Sequence, residues 1–149
     1  MNQEFKSKNL KNIGIEVEIP ESYDFLETES LDAITESIKN YPKALKMFEM
    51  LITDPGVRAD WDLSNFITVK KLKYNDHGEV HAKIVCASAL KMLDLLLERD
   101  IIPDFIKEGG DDNGDDHLIV LSAALLHNIG NQIYRKSPSA QLLSCYTCT

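Results

Sequence analysis

His117-Leu-Ile-Val-Leu-Ser-Ala-Ala-Leu-Leu-His127-Asn128-Ile129-Gly130 is the stretch on which the reading of this chain turns. No other segment of its length is as apolar. It leaves almost no polar face, so as a helix it is surrounded by protein. It is too short to cross a bilayer, which takes ~20 apolar residues. Asp115 or Asp116 can cap its start, and Gly130 marks its end. It therefore delivers an imidazole, His127, and then an amide, Asn128, where the helix stops. Such an ending is either a core with a satisfied histidine or part of a metal site.

The segment ahead of it is a loop. Residues 100–115 hold Pro103, Gly109, Gly110 and the run Asp111-Asp112-Asn113-Gly114-Asp115, which break any period. The acidic run lacks calcium-loop spacing, because Val120 stands where the sixth residue after the glycine must be glutamate. Before the loop, a helix is expected over 77–99, opened by Asn75 or Asp76 as N-cap. It runs through Ile84, Val85, Ser88, Met92, Leu95 and Leu96. His77 and His81 are four apart, hence one turn apart on one face. They either pack the helix start or join a site. Antiparallel packing of the two long helices would bring His77 and His81 beside His127. Imidazoles gathered this way suit divalent transition metals.

Further upstream, apolar spacing predicts helices over 30–40, with Ser30 as cap and Leu31, Ile34 and Ile38 on one face. A second is expected over 42–53, with Pro42 in its first turn and Leu45, Phe48, Leu51 and Ile52 inward. Asp54-Pro55-Gly56 ends it. A third is expected over 60–72, with Leu63, Phe66 and Ile67 inward. Ile13, Ile15, Val17 and Ile19 alternate with polar residues or glycine, which reads as a short strand or an extended arm stopped by Pro20. The expected fold is all-α with a short extended N-terminal arm, divided into an arm (1–28), a helical domain (29–136) and an atypical tail (137–149).

The 149 residues suffice for one domain with a real core. Sixteen Lys and Arg against 24 Asp and Glu give a net charge of −8, which argues against a nucleic-acid surface. No signal peptide or membrane span is visible, and the three cysteines form no disulfide framework, so a cytoplasmic setting is expected. Cys145-x-x-Cys148 lacks a second pair for zinc and reads as chance composition.

YNDHGEVHAKIV, from Tyr74, and LSAALLHNIGNQIYR, ending at Arg135, together resemble the HD-domain metal-dependent phosphohydrolases. They are most similar to archaeal and bacterial members with a YNDHG-x-VH segment. The resemblance covers about 54–135 and implies an HD-like helical bundle. It also implies hydrolysis of phosphate esters or nucleotides by metal-activated water. Carried over, His81 is the early metal-binding histidine and His127 the histidine of the doublet. His77 is a further ligand or phosphate contact, and Arg135 a contact for the substrate phosphate. The implied cofactor is a divalent metal, with Mn, Mg, Fe, Ni, Co and Zn all open. The implied partner is a phosphorylated small molecule or nucleotide.

Two departures limit that inference. Asn128 stands where the family has the aspartate of the doublet, and an amide offers a metal an oxygen without charge. No acid follows Asp116, so the later aspartate has no counterpart. In place of the family's closing helices stands the uncharged tail Ser137–Thr149, as in a truncated or frame-shifted product. The expectation is therefore a bundle incomplete at its C-terminal side, a weakly held or absent metal, and little or no turnover. No residue is assigned as catalytic. Apolar surface left uncovered on helix 116–127 points to a homodimer. The competing reading is a non-catalytic helical regulatory or interaction module.

Overall fold

The computed structural model describes residues 5–11, 14–110 and 113–132. The architecture is all-α, with a two-stranded hairpin at the start. The alternating run forms β2 (Ile15–Pro20), and the structure supplies it with a partner, β1 (Phe5–Leu10). The strands are antiparallel, with Leu10 opposite Ile15 and Phe5 opposite Pro20. Gly14, at φ +67°, closes the turn, and its N–H donates to the Leu10 carbonyl at 2.8 Å. FKSKNL has no apolar alternation, so β1 was invisible in the sequence; backbone pairing makes it a strand. Leu10 is buried against Tyr23 and Phe66, which pins the hairpin to the helices.

α1 spans Tyr23–Ile38 and starts well before the expected residue 30. Ser30 does not cap it. Its hydroxyl donates back to the Leu26 carbonyl at 2.7 Å, satisfied inside the helix. Only the second half of α1, with Ile34 and Ile38 fully buried, carries the apolar period that a sequence reveals. α2 (Pro42–Thr53) has the expected bounds. α3 (Pro55–Asn65) corrects the expected 60–72. Asp54 ends α2 and also caps α3, accepting the N–H groups of Gly56 and Val57 at 2.7 and 3.0 Å. Pro55 takes the first helical position. The earlier start changes which face is inward: Val57, Trp61, Ser64 and Asn65 are buried, while Leu63, Phe66 and Ile67 are only half-buried. The chain continues as a π-helical turn, Phe66–Lys71, before Lys73 takes a left-handed φ of 57°.

α4 (Glu79–Leu97) is two residues shorter at each end than expected. Its core face is Ala82, Cys86, Leu90 and Leu93, whereas Met92, Leu95 and Leu96 are exposed. α5 (Asp104–Lys107) is a single turn within the expected loop. α6 (Asp115–Leu126) contains the apolar run that follows His117. Neither Asp115 nor Asp116 caps it. Gly114 holds that place at φ +94°, and a Cβ there would lie 2.4 Å from the Tyr41 ring. A 3₁₀ turn, Ile129–Gln132, follows. Among the described residues no helix is long and apolar enough to cross a membrane.

α6 packs between α4 and α2, and α1 lies along the other side of α4. Lys83, itself buried, joins Glu27 of α1 at 2.5 Å and Glu79 of its own helix at 2.7 Å. Near the other end Ser37 of α1 donates to Asp94 of α4 at 2.8 Å, so these two helices run parallel. The core gathers Ile34, Ile38, Phe48, Trp61, Leu90, Leu121 and Leu125. Trp61 is fully buried, and its indole N–H donates to the Leu125 carbonyl at 2.9 Å. That carbonyl lies in the last turn of α6, where the helix offers it no internal donor.

Leu121 sits at the centre of this packing with no solvent exposure. Leu121→Ala is expected to cost about 2–5 kcal/mol of unfolding free energy. Urea denaturation followed by circular dichroism measures it; a loss below about 1 kcal/mol would place Leu121 outside the cooperative core.

Candidate functional site

α4 and α6 are antiparallel, so the start of one lies beside the end of the other. His77 stands just before α4, His81 in its first turn, and His127 one residue beyond α6. All three are half-buried. The His81 ring centre is 4.9 Å from that of His77 and 5.4 Å from that of His127. The structure thus brings together the three histidines that the sequence singled out.

Two of the rings have their Nδ1 positions fixed by backbone. His77 Nδ1 donates to the Asn75 carbonyl and His127 Nδ1 to the Ala124 carbonyl, each at 2.7 Å. With the proton on Nδ1, a neutral ring carries its lone pair on Nε2, the arrangement by which metal-binding histidines are oriented. The pKa of His127 is pushed below its ordinary 6.5, first by burial and then by the neighbouring His77. The Ala124 carbonyl opposes that shift without cancelling it.

Asn128 is buried, and its backbone carbonyl accepts from the Ser64 hydroxyl at 3.0 Å. That bond ties the end of α6 to α3. Arg135, the expected phosphate contact, lies outside the described residues.

One carboxylate beside the cluster departs from its expected role. Asp76 was expected to cap α4, but the N-cap is Gly78 and no side chain caps the helix. Asp76 Oδ1 accepts from the Gly78 N–H at 3.4 Å; Oδ2 is sealed from solvent, with no hydrogen-bond partner among the described residues. Burial pushes the Asp76 pKa up, against the pull of the Gly78 N–H, Lys8, His77 and the Asn65 amide. Asn65 Oδ1 is likewise buried without a partner among the described residues. The signal available in the sequence was the adjacency of Asp76 to His77; its burial was not readable.

Donor type and spacing can be tested against a metal. An imidazole nitrogen sits about 2.1 Å from a transition metal, which puts the centres of two rings on one tetrahedral ion about 5 Å apart. The distances here, 4.9 and 5.4 Å, match that spacing. Orientation differs: the His77 and His81 rings are stacked, with 28° between planes. Among the described residues no group of three or more His, Cys, Asp or Glu side chains is arranged to hold a metal ion. The cluster brings imidazole donors to that spacing, but among the described residues it does not by itself form a metal-binding group.

No family model and no solved structure matches this chain. It is similar to the uncharacterized protein MJ1020 of Methanocaldococcus jannaschii, with 39% identity over 99 residues. The match covers 66% of this chain and 38% of that protein, so the chain spans well under half the length of this relative.

The depressed pKa of His127 has a sign in stability. Unfolded, the ring takes a proton near 6.5; folded, it does so only at lower pH. The unfolded state therefore binds more protons in that window, and stability falls as pH drops below 6.5. His127→Gln is expected to flatten the decline of the thermal midpoint between pH 6.5 and the folded value. An unchanged slope in a pH series of melts would show that His127 titrates as it does unfolded.

Proposed function

We propose that this chain is a helical domain of the HD-type metal-dependent phosphohydrolases, with its hydrolytic capacity impaired. One observation carries the reading. The antiparallel ends of α4 and α6 gather His77, His81 and His127 at the spacing of metal co-ligands. Those are the residues to which the YNDHG-x-VH and LLHNIG segments assign metal binding. The substrate class is a phosphate ester or nucleotide, and a homodimer would cover apolar side chains such as Ile119, which is exposed on α6.

His81 and His127 would hold the ion, with His77 as third imidazole and the Asn128 amide as a neutral donor. A bound divalent ion lowers the pKa of its water and so supplies the nucleophile. The chain's own residues hold the ring nitrogens in place: Asn75 and Ala124 carbonyls fix two tautomers. Charge limits the site. Imidazoles neutralise nothing, and Asn128 gives no anion where the family has one. Asp76 is the nearest acid in sequence, and its carboxyl is buried beside Asn65 and held toward its neutral form.

The rival reading is a non-catalytic interaction module. Metal uptake separates the two. The purified chain is expected to bind Co²⁺ or Ni²⁺ saturably and weakly, with binding lost in His81→Ala and His127→Ala. Hydrolysis of nucleotides and generic phosphate esters with Mn²⁺, Mg²⁺, Ni²⁺ or Co²⁺ is expected to stay near background. Asn128→Asp alone is expected to recover little. Sustained turnover by the unmodified chain, abolished by His127→Ala, would overturn the impaired reading. Absence of metal uptake would favour the module.

A further inference from the structure

His117 is the one histidine outside the cluster, and nothing in the proposed function uses it. It is fully buried at the start of α6. Its Nδ1 lies 2.7 Å from Asp116 Oδ1 and its Nε2 lies 2.9 Å from Asp94 Oδ1. The Tyr41 ring stacks on it, with centres 3.9 Å apart and 26° between planes. Asp94 belongs to α4 and accepts from Ser37 of α1 through its other oxygen, at 2.8 Å. Asp116 also accepts the His117 backbone N–H at 2.6 Å, which fixes that carboxylate against its own helix.

Two features separate this assembly from an ordinary surface ion pair. Each ring nitrogen faces a carboxylate oxygen, so the ring is held from both sides. Carboxylate contacts on both sides of a buried ring are directional. The assembly also sits at the far end of the helix pair that builds the cluster. Asp94 and His117 join the end of α4 to the start of α6. His81 and His127 meet where α4 starts and α6 ends. About 15–20 Å of helix separates the two junctions at 1.5 Å per residue. Between them lie Ala82, Cys86, Leu90, Leu121, Ala124 and Leu125, a packed seam that carries an axial shift from one end to the other.

We propose that the Asp94–His117–Asp116 clamp is the positioning element of the histidine cluster: it sets the axial register of α4 on α6 and thereby the separation of His81 and His127. An apolar seam alone fixes register loosely, since packed helices slide by small shear motions. A buried ring in contact with an acid at each nitrogen has one favourable position along that axis. The proposal rests on the reading of the cluster as a metal site for its consequence, and on geometry alone for its register.

The test uses the full chain and two readouts. Nuclear Overhauser contacts between the His81 and His127 rings report register without any metal. Co²⁺ titration followed by its absorption spectrum reports the cluster. Asp94→Asn keeps the size of the side chain and removes its charge, while Asp94→Glu keeps the charge and adds one methylene. In either variant, folded by circular dichroism, the ring contacts are expected to weaken or vanish and Co²⁺ affinity to fall about tenfold or more. Glu27→Gln serves as control, because it breaks an ion pair between α1 and α4 and leaves α6 untouched. It is expected to lower the melting temperature and to leave ring contacts and Co²⁺ affinity within about twofold. Ring contacts and affinity unchanged in both folded Asp94 variants would overturn the clamp. Loss of both in Glu27→Gln to the same degree would also overturn it, by making any destabilisation sufficient. If the unmodified chain takes up no Co²⁺, the metal reading fails, and the ring contacts still decide the clamp.

Discussion

The antiparallel pairing of α4 with α6 is the constraint on which the rest of the structure depends. α6 is apolar on nearly every side, so it cannot stand at a surface without neighbours. α4 covers one side and α2 another, and Trp61 of α3 closes over the last turn through the Leu125 carbonyl. Burying α6 this way fixes where its ends fall. Its start carries His117 into a pair of carboxylates, and its end carries His127 to His81. Between the two ends lies an apolar seam that includes Ala82, Cys86, Leu90, Leu121 and Leu125.

That arrangement separates two uses of the same side chain. His117 has an acid at each ring nitrogen and no exposure, a state that suits a fixed position. The pKa of His127 is depressed, and its Nδ1 is tied to a backbone carbonyl, a state that suits a neutral ligand. Environment, not residue type, makes one a clamp and the other a candidate donor.

Much of this was legible because it depends on strong local signals. Pro42 and the apolar spacing after it gave α2 its bounds. The buried character of residues 117–126 gave α6, and the four-residue spacing of His77 and His81 gave their shared face. What was not legible depends on partners distant in sequence. β1 is polar and becomes a strand only against β2. α1 opens with residues such as Asp24 and Glu27 that show no period. Asp54-Pro55-Gly56 serves as both stop and start, which moved the inward face of α3 to Trp61. Asp76 looked like a cap because a short acidic residue before a helix usually is one; it is instead buried, with the Asn65 amide and Lys8 acting on its carboxylate. His117 was passed over because Asp94, 23 residues away, supplies half of its environment.

The central claim is that His77, His81 and His127 form one metal-binding unit, built by α4 and α6 and short of anionic ligands. Nitrogen-detected NMR of the imidazole rings during a Zn²⁺ titration tests it most directly, because it reads each ring nitrogen separately. The account predicts that the Nε2 signals of His77, His81 and His127 move together at a weak, shared affinity, while the ring signals of His117 stay unmoved. Zn²⁺ that shifts only one of the three rings, or shifts His117 instead, would contradict it.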